Sequence, residues 1–260
     1  MSHAHHADLD GLHLYYEDHG AGRPLVLMHG GGSTIQTSFG ALLPELARGH
    51  RVIAVEQQGH GHTADLDRPF SFEQMADDTA ALLDRLGVRN ADILGFSAGG
   101  MTALQVAVRH PQLVRRLVIC SGFHAHAGLL PALRELFRAP PDPGAMPAPL
   151  REAYLAAAPQ PDLDRFVAKT MAMMDGFADL PDEALRAITA PTLVLQGDRD
   201  VILPEHALAL SRLVAHGQLA IVPGAAHGAY LGVAELPADP ALVAIGTAII
   251  ERFLAEPDPS

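Results

Sequence analysis

The chain has 260 residues, 48% of them hydrophobic and 18% charged, which suits one large α/β domain with a sizeable core. With 30 acidic against 18 basic residues the formal net charge is −12, which argues against nucleic acid or an anionic membrane as a partner. The single cysteine, Cys120, rules out an intrachain disulfide, and the longest apolar run, 241–250, is too short to span a bilayer.

The N-terminal MSHAHHADLDG has no apolar stretch of the secretory kind, so a soluble cytoplasmic protein is expected. His3, His5 and His6 read as a mobile tail, since nothing nearby would fix a metal geometry. LHLYYEDHG (12–20) alternates like a half-exposed strand, and PLVLMHG (24–30) reads as a buried strand running into glycines. FGALLPELARG (39–49) looks helical, with Pro44 perturbing it, and RVIAVEQ (51–57) is another buried strand. The stretch 71–88 has the strongest helical signature, with Ser71 as N-cap and Gly87 as its stop.

A strand over 91–97, a helix over 98–111 and a strand over 114–122 follow. After a long interval come a strand over 192–198, a helix over 204–217 and a strand over 218–224. The last helix, 239–256, opens on Asp239 and Pro240. Continuous apolar strands alternating with helices predict an α/β fold whose mostly parallel sheet is covered on both faces. The interval 123–189 breaks the rhythm. It carries the proline-rich APPDPGAMPAPL and then helical pieces rich in Met, Phe and Ala, so it reads as a mainly helical insertion. The expected division is a core of 1–122 and 190–260 with a cap of 123–189.

Functional groups of such sheets gather at the carboxyl ends of the strands. Three strand ends carry matching chemistry. LGFSAGG places Ser97 between Gly95 and Gly99, at a strand-to-helix turn that would lift its hydroxyl to a helix N-terminus. A serine needs a base, and His227 in VPGAAHG stands just past a late buried strand. The base needs an orienting carboxylate, and LQGDRD supplies Asp198 and Asp200. The glycines of HGGG (29–32) let backbone N–H groups approach a substrate oxygen, so Gly31 together with Ala98 could form an oxyanion hole. The buried setting of Cys120 reads as an inert thiol.

On HGGG, GFSAGG, GDRD and GAAHG, over about residues 12–122 and 190–254, the chain resembles the α/β-hydrolase superfamily. The resemblance implies an eight-stranded, mostly parallel sheet with a cap inserted after the sixth strand. It also implies Asp200 as the triad acid, leaving Asp198 to tie down its loop. EQQGHGHTA departs from the D-x-R-G-x-G-x-S that many members carry, with Glu56, Gln58 and Thr63 in place of Asp, Arg and Ser. That change bears on the subfamily and not on the triad. His60 and His62 within it read as structural or solvated, and His124 and His126 as candidates for a pocket rim.

The expected activity is that of a serine hydrolase using no cofactor and no metal. Its substrate would be a small to medium, largely apolar carboxylic ester or lactone. A C–C bond hydrolase acting on β-diketones, or a perhydrolase, is the alternative on the same triad. A ligand receptor on a hydrolase scaffold comes third. Nothing in the sequence marks an oligomer interface. Large apolar cap residues, among them Phe137, Phe166, Met171, Met173, Met174 and Phe177, are expected first as the cap's own core, with some facing the cleft.

Overall fold

A computed structural model describes residues 3–257 of the chain. Eight strands form one sheet: β1 (His3–Leu9), β2 (Leu12–Gly20), β3 (Arg23–Met28), β4 (His50–Val55), β5 (Ala91–Phe96), β6 (Val114–Cys120), β7 (Thr192–Arg199) and β8 (Gly217–Ala226). Their order across the sheet is β1-β2-β4-β3-β5-β6-β7-β8. β2 runs antiparallel to β1 and β4, and the remaining neighbours are parallel.

Side chains alternate across the sheet with the period of two that the pleat imposes. Val26, Met28, Ile93 and Ile119 face one apolar cluster, while Leu25, Leu27, Leu94 and Val118 face another. The first is covered by α3 (Phe72–Arg85) and α4 (Ala98–Arg109). The second is covered by α1 (Ile35–Phe39), α2 (Leu43–Leu46) and, near the C-terminus, a helix over Pro240–Leu254. Both faces being buried explains why these strands are continuous apolar runs.

Two expectations are corrected. The N-terminal histidines are no free tail: His3–Leu9 pairs with Leu12–Asp18 of β2, with Leu9 opposite Leu12. The hairpin turns on Asp10 (φ 45) and Gly11 (φ 91), the positive-φ pair that suits a two-residue turn, and the Asp-Gly dipeptide is its sequence signal. The helix expected over 39–49 is reduced to the four residues of α2, with Phe39 the last residue of α1. Pro44 has no N–H to continue a helix through it and stands in the first turn of α2.

Between the end of β6 at Cys120 and the start of β7 at Thr192 lies the helical cap. It carries α5 (Pro131–Arg138), α6 (Ala148–Ala157), α7 (Leu163–Gly176) and α8 (Asp182–Arg186). Its root is tied to the core: Leu203 N–H donates to Gly128 O at 2.8 Å, and Leu130 N–H to Val201 O at 3.0 Å. The chain then closes with α9 (Pro204–Leu213), β8 and α10, the Pro240–Leu254 helix, whose N-cap Asp239 accepts from the N–H groups of Ala241 and Leu242.

Candidate active site

Ser97 lies between β5 and α4 with φ 53 and ψ −118, a strained backbone for a residue with a Cβ. Small neighbours make this turn possible. A Cβ on Gly95 would collide with the Gly99 carbonyl, and one on Gly99 with the carbonyls of Met28 and His29. The Ser97 side chain does not cap α4, so its partly exposed hydroxyl is not tied down by the helix it precedes.

His227 follows β8 and lies 4.9 Å, centre to centre, from the ring of Phe96, the residue before Ser97. Its Nδ1–H donates to Asp200 Oδ1 at 2.6 Å, which leaves Nε2 as the basic lone pair. The Asp200 side chain is fully enclosed, whereas the imidazole is 26% exposed. Asp200 Oδ1 also accepts from Ile202 N–H at 3.1 Å, and Oδ2 accepts from Ser121 Oγ at 2.5 Å. Burial pushes the Asp200 carboxyl upward, but the hydrogen bonds and charge of His227, with Ser121 and Ile202, outweigh it and hold the group below its ordinary value. Asp198 points elsewhere: its Oδ1 accepts Gly224 N–H at 2.6 Å and so joins the ends of β7 and β8.

The HGGG loop faces the helix behind Ser97. A Cβ on Gly31 would lie 3.4 Å from the Cβ of Ala98. Three neighbouring N–H groups of the loop are committed. Gly30 donates to Ser38 Oγ at 3.2 Å, Gly32 to His60 Nε2 at 3.3 Å, and Ser33 to Gly30 O at 3.2 Å. Among the described residues the Gly31 N–H has no such partner.

Two buried histidines brace this loop. Gln57 N–H donates to His29 Nε2 at 3.1 Å, so Nδ1 carries the proton and donates to Gly30 O at 2.8 Å. His60 accepts from Gly32 at Nε2 and donates from Nδ1 to Gln58 O at 3.0 Å. Burial pushes both down to about 4, with the adjacent His60 adding to the effect on His29, so both are neutral at pH 7. Glu56, 1% exposed, accepts from Ile35 N–H at 3.2 Å and from His62 N–H at 2.6 Å. His60 thus holds the loop from behind, a structural role of the kind expected for it, while Glu56 ties the start of α1 to the segment at His62. His124 stacks on His206 at 4.0 Å between ring centres, under the cap root.

Next to the HGGG loop is a cavity of about 170 Å³, walled by Gly31, Gly32, Phe137, Met146, Leu150 and Phe166. Asp142 is the only ionisable side chain on its wall. Phe166 also borders an outer space of about 460 Å³ lined by Asp65, Asp67, Asp162 and Arg165. Met173 and Met174 belong to the buried core instead. Among the described residues no group of three or more His, Cys, Asp or Glu side chains could hold a metal ion. No helix of the described residues is long and apolar enough to cross a membrane.

The eight-stranded sheet, the strained serine turn and the helical cap define a class, and the chain belongs to it: the alpha/beta hydrolase fold family matches residues 23–187, and the protein is a hydrolase of that superfamily. Among curated relatives it is 32% identical to the 2-hydroxymuconate semialdehyde hydrolase of Pseudomonas sp. (strain CF600), over 84% of each chain. It is 30% identical to the 2-hydroxy-6-oxo-2,4-heptadienoate hydrolase of Pseudomonas putida, over 84% of this chain and 87% of the relative. Among solved structures, Est816, described as an N-acyl homoserine lactone degrading enzyme, superposes with a TM-score of 0.74 at 25% identity, over 95% of this chain and 99% of that one.

Proposed function

We propose that Ser97, His227 and Asp200 are nucleophile, base and acid of a triad, and that the N–H groups of Gly31 and Ala98 form the oxyanion hole. The Asp200–His227 hydrogen bond, with Ser97 raised on its turn beside Phe96, is the observation that carries this reading. Ser97 Oγ attacks a substrate carbonyl carbon while His227 Nε2 takes the hydroxyl proton. The carbonyl oxygen becomes an oxyanion held by the two N–H groups. The imidazolium, steadied by Asp200, hands its proton to the leaving group, and an acyl-serine remains. Water, deprotonated by His227, attacks that ester. The carboxylic acid departs and Ser97 regains its proton.

For the bond that is broken, cleavage between a carbonyl carbon and a carbon leaving group has the better support from relatives, two of which are named for dienoate or semialdehyde substrates. The leaving carbon must then depart as a stabilised enolate. A second reading, ester or lactone hydrolysis, is favoured by the inner cavity, whose wall has no Arg, Lys or His to receive a carboxylate. Steady-state assays with a 2-hydroxy-6-oxo-dienoate, a β-diketone, a homoserine lactone and p-nitrophenyl butyrate would rank the classes. Turnover of any of them that survives Ser97→Ala undiminished would refute the triad.

A further inference from the structure

The Asp200 carboxylate is enclosed, so each of its oxygens depends on a protein donor. Oδ1 has two, His227 and Ile202. For Oδ2 the donor is Ser121, directly after β6, whose Oγ lies 2.5 Å away. Ser121 Oγ is in turn 2.8 Å from the hydroxyl of Tyr230, and both residues are fully buried. Tyr230 stands three residues beyond His227, in a short helical turn over Ala229–Leu231.

The proton count gives the chain of hydroxyls a direction. An ionised Asp200 has no proton to give, so the Ser121 proton is committed to it. Tyr230 has one proton and three polar neighbours: Ser121 Oγ and the Leu195 carbonyl, each at 2.8 Å, and the Cys120 thiol, which is hydrogen-bonded to it as well. Leu195 O already accepts Ser121 N–H at 2.8 Å. Leu195 O keeps a second lone pair, so the Tyr230 proton is shared between that carbonyl and Ser121 Oγ, and to the extent that Ser121 accepts it the serine donates a stronger bond to Asp200. Ser121 reaches this place with φ 47, where glycine would be relaxed and serine is strained. A strained serine where a glycine would relax is what a needed hydroxyl leaves behind.

We propose that Ser121 and Tyr230 are positioning residues: a two-hydroxyl relay that fixes the Asp200 carboxylate and draws part of its charge away from His227. The proposal rests on reading Ser97, Asp200 and His227 as the triad. It ties the end of β6, the interior of β7 and the histidine loop to a single carboxylate. Removing the relay concentrates the carboxylate's charge on Oδ1 and strengthens its hold on the imidazolium, whose other charged neighbour is Glu235, so the acid limb of the rate profile moves to higher pH.

The test compares wild type, Ser121→Gly and Tyr230→Phe. Two readouts are followed from pH 5 to 9: kcat/KM on p-nitrophenyl butyrate, and the rate of fluorophosphonate labelling at Ser97. Ser121→Gly removes the hydroxyl while relieving the backbone, so its melting temperature should stay near that of wild type. Its kcat/KM should still fall about tenfold, the effect of losing a hydrogen bond to a charged group. The acid limb should move up by about half a pH unit in both readouts. Tyr230→Phe should shift it the same way by less, because Ser121 still donates. An unmoved acid limb in both variants overturns the relay, whether or not the rate falls. No labelling of Ser97 in wild type at any pH would instead overturn the triad.

Discussion

Truncating Phe166 should widen the range of acyl groups the enzyme accepts. Its ring is 4% exposed, stacks on Tyr154 at 4.3 Å between centres, and meets His60 edge-on at 4.9 Å. It borders both the 170 Å³ cavity beside the HGGG loop and the 460 Å³ space, so Phe166→Ala removes a wall that the two share. On the reading that the acyl chain enters the 170 Å³ space beside Gly31, about six carbons fit there, since a cavity of about 150 Å³ takes a benzene ring. In wild type, kcat/KM for p-nitrophenyl esters, acyl donors to Ser97 under either reading of the leaving group, should rise about fourfold per methylene until that space is full. Beyond hexanoate it should fall. In Phe166→Ala the optimum should move to decanoate, with a stability loss of about 3 kcal/mol for the deleted ring. Melting curves establish that the variant is folded, and the ester series from acetate to dodecanoate reads the optimum. An optimum that stays at hexanoate in a folded variant would refute the partition.

Three further outcomes are expected. Asp200→Asn keeps the shape of the acid but not its charge, and should lower kcat by about 10⁴ with folding retained, as read by labelling kinetics and circular dichroism. Gly99→Ala places a methyl against the backbone carbonyls of Met28 and His29, so α4 must move away from β3. Both melting temperature and labelling rate should drop together, and a drop in neither would contradict the packing. His29, His60 and His206 are held at about 4 by burial, below the 6.5 of the free side chain. The unfolded chain binds more protons between those values, so stability is complete above about pH 6.5 and is lost as pH falls toward 4. Each histidine should remove about 1.4 kcal/mol per pH unit in that window, as read by urea unfolding at pH 7.5, 6, 5 and 4.5.

The sequence by itself determined the class of fold and the candidate residues, for one physical reason. Strands buried on both faces are apolar runs, and in a parallel sheet the groups that follow them converge on one edge. HGGG and Ser97 follow the buried β3 and β5, and Asp200 and His227 follow β7 and the more exposed edge strand β8, so all four stood out as candidates at one edge of the sheet. Local chemistry was legible too: Ser71 and Asp239 are N-caps, as their side chains allow.

What the sequence left open depends on partners far away in the chain. Ser121 meets Asp200 across 79 positions and Tyr230 across 109, and no local pattern marks either contact. His60 supports Gly32 from 28 positions away and looked like one more loop histidine. The strand at His3–Leu9 was hidden because its apolar side chains are few and mostly small, Ala4, Ala7 and Leu9 among histidines, and pairing with β2 is what satisfies its backbone groups. The cap is the extreme case. Which of its apolar residues close the core and which wall the cavity follows from how the cap helices dock over the carboxyl edge of the sheet. Periodicity says that a helix has an apolar face, and only the tertiary structure decides what that face meets.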